Sequence, residues 1–244
     1  MTDHLLLLCI GIFIVSVLYS SVGHAGASGY IAVMSLFSLP AAFIKPVALV
    51  LNVGVAIIGS IQFCRAGHFS WRLFWPFALP AVPCAFLGGW LNLPGQVFKI
   101  ALGVVLLFSA WRFITKPPSD EPVGEPSRPV ALGLGAGLGL LSGLTGTGGG
   151  IFLTPLLLFK RWSSAKIAAG VSAVFILVNS VGGLLGNLSS TQSMPSMAWP
   201  LVATALTGGL IGSQLGSRHL PHTVIKRCLA AVLLVAGLKL IFAR

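Results

Sequence analysis

The chain has 244 residues, 56% of them hydrophobic and only 8% charged, with a mean hydropathy of +0.97. This excludes an ordinary soluble domain and predicts an all-α polytopic membrane protein, because backbone polar groups at membrane depth must be satisfied within their own helices. The net charge of +11 comes from 15 basic and 4 acidic residues that lie between apolar runs, a pattern of membrane-oriented loop charge rather than a nucleic-acid surface.

In chain order, the first apolar segments are 5–20, 30–39, 46–64, 73–91 and 97–115. They are continuous runs, not the ten-residue alternating pieces of a β-barrel. Residues 5–20 read as a membrane segment rather than a cleaved leader, because Asp3 and no Lys or Arg precede them. Next comes "KPPSDEPVGEPSR", Lys116 to Arg128, which is Pro-rich and holds three of the four acids. Its composition predicts a flexible connector. The apolar segments then resume at 130–144, 151–159, 167–187, 198–216 and 224–242. The expected organisation is a first transmembrane repeat over 1–115, a cytoplasmic linker over 116–128 and a second repeat over 129–244.

The two repeats are related in sequence. "LPGQVFKIALGVVLLFSAWRFI" (93–114) aligns without gaps on "LPHTVIKRCLAAVLLVAGLKLI" (220–241), with nine of 22 positions identical, Pro94/Pro221 and Lys99/Lys226 among them. Nearer the start of each half the offset is 122 instead of 127, pairing Gly11 with Gly133, Ser20 with Ser142 and Gly26 with Gly148. This alignment sets "SVGHAGASGY" (21–30) opposite "LTGTGGGIF" (144–152). Each is a Gly-rich break followed by a short apolar piece, expected to begin near Tyr30 and near Ile151. Nine or ten helical residues rise about 15 Å, half of a bilayer core of about 30 Å.

The basic residues choose between two topologies. If each broken segment crosses, the repeats are parallel and the two sides carry eight and seven basic residues. If each dips in and returns, the repeats are inverted. One side then collects Arg65, Arg72, Arg112, Lys116, Arg128, Lys160, Arg161, Lys166, Arg218, Lys226 and Arg227, and the other keeps Lys45, Lys99, Lys239 and Arg244. The asymmetry favours about eight hydrophobic segments in two inverted halves, each opening with a re-entrant helix, with the linker in the cytoplasm and both termini outside. Glycines at four-residue spacing (133/137, 135/139, 208/212/216) predict close helix packing. Trp71, Trp75, Trp111, Trp162 and Trp199, near segment ends, read as interfacial anchors.

The breaks suggest the chemistry. A helix N-terminus offers unpaired N–H groups and partial positive charge, and glycine lets an anion approach the backbone. The candidate substrate-binding residues are Ser21, Gly23, His24, Gly26, Ser28 and Gly29 in the first break. In the second they are Thr145, Gly146, Thr147, Gly148, Gly149 and Gly150, and Asn52 and Asn179 lie within following segments. The same glycines also suit a packing device or hinge, His24 suits a backbone-bonded neutral imidazole, and the asparagines suit interhelical bonding. Asp3, Asp120, Glu121 and Glu125 all lie outside the apolar segments, so a carboxylate ion relay is not expected. Cys9, Cys64, Cys84 and Cys228 have no metal spacing, and "GTGGG" (146–150) lacks the Lys-Ser/Thr of a nucleotide loop. No metal, cofactor or catalytic set is expected, and an enzyme is disfavoured.

With two Gly-rich breaks each opening a half, and "GTGGGIFLTP" (146–155) in the second, the chain resembles the TauE/SafE family of sulfite and organosulfonate transporters over nearly its whole length. The first copy, "GHAGASGYIAVM" (23–34), departs from the pattern, with Ala25 and Ala27 where glycines are usual and Met34 near the expected proline. The resemblance implies a multi-pass cell-membrane protein that transports sulfite, an organosulfonate or a related sulfur-containing anion. Its partners would be that anion and the bilayer, with no nucleic acid, and a homo-oligomer is compatible with the sequence. An anion channel, or a non-transporting subunit of a larger assembly, remains the alternative.

Overall fold

A computed structural model describes residues 2–39, 41–91, 96–115, 117–119, 121–187 and 198–242, and all of their regular structure is helical. Pro94, Lys116, Asp120 and Arg244, and the side chains of Asp3, Lys45 and Lys99, lie outside the described residues. The helices are α1 (Thr2–Ser21), α2 (Ala27–Leu36), α3 (Ala41–Arg65), α4 (Trp71–Trp90), α5 (Gln96–Thr115), α6 (Arg128–Thr145), α7 (Gly150–Phe159), α8 (Ala165–Asn187), α9 (Ala198–Gln214) and α10 (His222–Phe242). One wider π turn, Leu215–His219, prolongs α9. Among the described residues, three stretches are long and apolar enough to cross a bilayer by length and composition: Val47–Arg65, Trp71–Trp90 and Ala165–Gly186.

Glycine chemistry places the two breaks. Gly26 (φ 105) precedes α2, and Gly149 (φ 78) precedes α7; both are left-handed conformations that glycine adopts without a Cβ penalty. Because Gly26 and not Gly29 takes that conformation, α2 starts three residues earlier than the expected Tyr30. Both short helices are interior elements. Tyr30 and Met34 of α2, and Leu153, Leu157 and Leu158 of α7, are fully buried. The outer surface is apolar, with Leu6, Ile14, Leu79, Trp111 and Trp199 more than half exposed, as a lipid-facing bundle requires.

Side-chain contacts fix the helix directions. Gly11 faces Val33, and Gly29 faces Val15 and Tyr19, so α2 folds back antiparallel along α1. In the second half, Gly149 turns back beside Ser142 and Leu138 of α6. Helix α7 then runs antiparallel to α8, with Gly150 against Ile176 and Thr154 against Ser172. Across the halves, α3 and α8 are antiparallel, pairing Asn52 with Ser180 and Gly59 with Ala173. So are α5 and α10, where Gly103 meets Ile241 and Leu107 meets Gly237. By contrast α1 runs parallel to α9, and α4 parallel to α6. The first helix of each half thus packs on the fourth helix of the other, and the halves interlock.

The parallel pairs depend on small residues. Gly135, Gly139 and Gly143 of α6 lie against the backbone of Phe77, Ala81 and Ala85, and Gly212 and Gly216 of α9 against that of Val17 and Ser21. Gly133 and Gly137, one stripe over on α6, face open space. Ser16 Oγ adds a bond to the Ala205 carbonyl at 2.6 Å.

One end of the bundle gathers the basic loops and the connector. The Val123 N–H donates to the Arg161 carbonyl (2.8 Å), Arg161 Nε to the Glu121 carbonyl (3.3 Å), and Lys226 Nζ to the Pro118 carbonyl. Arg72 pairs with Glu125 at 2.8 Å, and the Arg128 guanidinium lies 5.9 Å from the Trp75 ring centroid. The described part of the connector is thus pinned to the bundle rather than loose.

At the same end, His68 Nε2 lies 2.9 Å from the Ser217 carbonyl, so that nitrogen carries a proton and donates it. Burial holds the His68 pKa below the usual histidine value, helped by the nearby charges of Lys166 and His222 and opposed by the Ser217 bond. The folded state therefore binds fewer protons here than the unfolded chain. Stability is full above the ordinary histidine pKa of about 6.5 and falls as pH drops through it. Thermal unfolding followed from neutral to acidic pH should show this loss, and His68→Gln should shrink it.

Candidate functional site

Both breaks converge on Asn52, near the middle of α3. Its Oδ1 accepts the Ala27 N–H at 3.1 Å and so caps the start of α2. Its Nδ2 donates to Ser180 Oγ of α8 at 2.7 Å. Gly148 of the second break sits against this pair: a Cβ there would lie 2.9 Å from Ser180 Oγ and 3.1 Å from Asn52 Nδ2. A single buried side chain therefore links the first break to the second.

Asn179 occupies the position of Asn52 in the second repeat, at the same offset of 127 that aligns the halves' last segments. Its environment differs. Asn179 is 1% exposed, and among the described residues neither its amide oxygen nor its amide nitrogen makes a hydrogen bond. At the start of α7 the Phe152 and Leu153 N–H groups both return to the Gly149 carbonyl, and no side-chain cap like that of Asn52 on α2 is found among the described residues. Asn179 borders a small cavity with Ser142, Gly146, Gly148 and Ser180. Its volume is ≈ 10 Å³, about the room of one water. The Ser142 hydroxyl is also buried without a partner, as is that of its repeat counterpart Ser20. Leaving a buried polar group unpaired costs about 1–3 kcal/mol, so Asn179 and Ser142 call for a partner such as a water or an ion.

His24 forms a second cluster beside the same short helix. It is 4% exposed, and its Nε2 is 3.4 Å from Thr154 Oγ1 of α7, which donates in turn to Ser172 Oγ of α8 at 2.6 Å. The Gly150 carbonyl also lies near the imidazole. Gly23 (φ 76) brings this break onto the backbone of Ala169.

Not every candidate residue faces the cavity. Thr145 donates to the Leu141 carbonyl (2.7 Å) and meets Thr147 at 2.8 Å. Ser21 donates to the Leu18 carbonyl, and Ser28 to the Tyr19 hydroxyl at 3.1 Å. Gly29 serves helix contact with Val15 and Tyr19. Sequence reasoning overlooked Ser142, Ser180, Thr154 and Ser172. The pairing of Ser20 with Ser142 in the repeat alignment was the one available signal. Among the described residues no cluster of His, Cys, Asp or Glu has metal-binding geometry.

The profile of the family described as "Sulfite exporter TauE/SafE" matches residues 8–240. The probable membrane transporter protein y4hK of Sinorhizobium fredii is 41% identical over 241 residues, covering 96% of this chain and 97% of that protein. The probable membrane transporter protein YjnA of Bacillus subtilis is 26% identical over 254 residues, covering 96% and 98%. The probable membrane transporter protein MamO of Paramagnetospirillum magneticum is 26% identical, covering 85% of this chain and 40% of its own length. No solved structure matches significantly.

Proposed function

We propose that this chain, which belongs to the sulfite exporter TauE/SafE family, carries a small sulfur-containing oxyanion, such as sulfite or an organosulfonate, across the cell membrane. The carrying observation is the unpaired amide of Asn179, which shares its cavity with Gly148, two residues before the first residue of α7. An oxyanion bound there accepts from the amide nitrogen, from Ser142 and from backbone N–H groups, in the partial positive field of the helix end. Gly148 keeps the approach free of a Cβ. The small volume of the cavity implies that the anion enters on a conformational opening, as alternating access requires.

The same proposal takes the halves as inverted repeats of about eight spans with re-entrant openings. Support comes from the antiparallel α3/α8 and α5/α10 pairs and from the return of α2 along α1. It comes also from the gathering of Arg72, Arg128, Arg161 and Lys226 at one end, the side that cytoplasmic exposure favours. Cysteine-accessibility labelling should then place the linker on the cytoplasmic side and the C-terminus outside. Labelling of both from one side would overturn the topology.

Substrate class is tested by thermal shift of the purified protein against sulfite, sulfate, thiosulfate, taurine, sulfoacetate and simple carboxylates. A bound anion stabilises the folded state by mass action, about 2.7 kcal/mol at a hundredfold excess over Kd. Stabilisation by sulfur oxyanions above carboxylates is the expected result, and equal or no response from the whole panel rejects it. Saturable flux with counterflow separates a transporter from a channel, which gives unitary currents.

A further inference from the structure

His24 is the group the anion reading leaves unused. It lies within the membrane-embedded part of the chain, whereas the two acids whose side chains are described, Glu121 and Glu125, are in the connector. Thr154 gives its hydroxyl proton to Ser172, so its oxygen is free to accept, and His24 Nε2 is the nitrogen that donates to it. A neutral imidazole carries one N–H. Nδ1 is then left buried and without a hydrogen bond, although the carbonyls of Val22 and Gly150 lie near the ring. Only the imidazolium has an N–H for each side of this pocket. A lone buried cation is costly, and a nearby bound anion offsets that cost. Gly150, beside His24, opens the helix that begins two residues after Gly148, which lines the Asn179 cavity.

We propose that the protein carries one proton with each anion and that His24 Nδ1 is the seat of that proton. This rests on the anion site proposed above. The proton comes from water on the side where the anion enters, bonds to Nδ1 as the anion binds, and is released to water on the far side as the anion leaves. Binding of each strengthens binding of the other by the same factor. The titratable groups on the surrounding elements are the phenols of Tyr19 on α1 and Tyr30 on α2. Helices α7 and α8 present Thr154 and Ser172, Lys166 lies six residues before Ser172, and no charged side chain among the described residues acts on the imidazole.

The test is calorimetric titration of the purified protein with thiosulfate, whose charge is constant over the range used. It is run from about pH 5.5 to 8.5, in buffers of different ionisation enthalpy that count the protons taken up. Wild type should take up close to one proton per anion at neutral pH. Over the pH range in which that proton is taken up, its affinity should fall about tenfold for each unit of rising pH. His24→Gln should bind with no proton uptake and no pH slope. Thiosulfate binding by wild type that is flat in pH and takes up no proton overturns proton coupling while leaving the anion site standing. Undiminished uptake in His24→Gln removes His24 from the role. Failure of thiosulfate to bind at any pH overturns this proposal, and the anion site falls with it only if the other anions of the panel also fail.

Discussion

Replacing Asn179 by alanine should abolish transport at ordinary substrate levels while leaving the protein as stable as wild type, to within about 1 kcal/mol. The amide makes no hydrogen bond among the described residues, so its removal leaves none of them unsatisfied. What is lost is a bond to a charged ligand, about 1.5–3 kcal/mol, or roughly ten- to a hundredfold in affinity. Asn52→Ala should behave in the opposite way. It strips partners from the Ala27 N–H and from Ser180 Oγ, both buried, at about 1–3 kcal/mol each. Thermal unfolding alongside anion uptake in proteoliposomes separates the two. Wild-type uptake by Asn179→Ala would remove the proposed site. A large loss of stability in that variant would show that the amide has a structural partner after all.

Gly139→Val is expected to prevent folding, whereas Gly137→Ala two residues away should be neutral or slightly stabilising. A Cβ at Gly139 would overlap the Ala81 carbonyl oxygen, and backbone cannot swing aside as a side chain can. The α4/α6 pair would have to separate along its length, at or beyond the roughly 1–3 kcal/mol typical of overpacking. Without a hydrophobic force between helices in lipid, close backbone approach is what holds them together. A Cβ at Gly137 meets nothing within 4 Å, and alanine there gains up to about 1 kcal/mol of helix propensity. Yield and unfolding temperature of the two purified variants check the contrast. Equal behaviour would mean that α6 does not pack on α4 through the 135/139/143 stripe.

Much of this protein follows from the sequence alone. Apolar runs of fixed length against a bilayer of fixed thickness set the helix count, and the helices lie within a few residues of the apolar segments. Left-handed glycine is cheap, which suits the Gly-rich stretches 21–30 and 144–152 to breaks, and the structure shows which glycines take that conformation, Gly26 and Gly149 among them. The likeness of the two halves is read from spacing, which backbone geometry can preserve even where side chains drift. Membership in the family was legible from "GTGGGIFLTP" and its counterpart for the same reason.

Other features are decided only by tertiary packing. Periodicity gives α6 two equivalent glycine stripes, and only the approach of α4 selects 135, 139 and 143 over 133 and 137. The hydroxyls of Ser21, Ser28 and Thr145 looked available to a ligand, but local partners within reach claim them. Above all, Asn52 and Asn179 are one residue type at one repeat position. The first is bonded to the start of α2 and to Ser180, and the second is left without a partner among the described residues beside Ser142. A hydrogen bond depends on what the other chain segments bring to within about 3 Å, and a repeat in sequence does not fix that distance. The halves interlock with α1 on α9 and α6 on α4, so each break meets different neighbours. That difference makes two similar glycine breaks into one capped helix start and one open one.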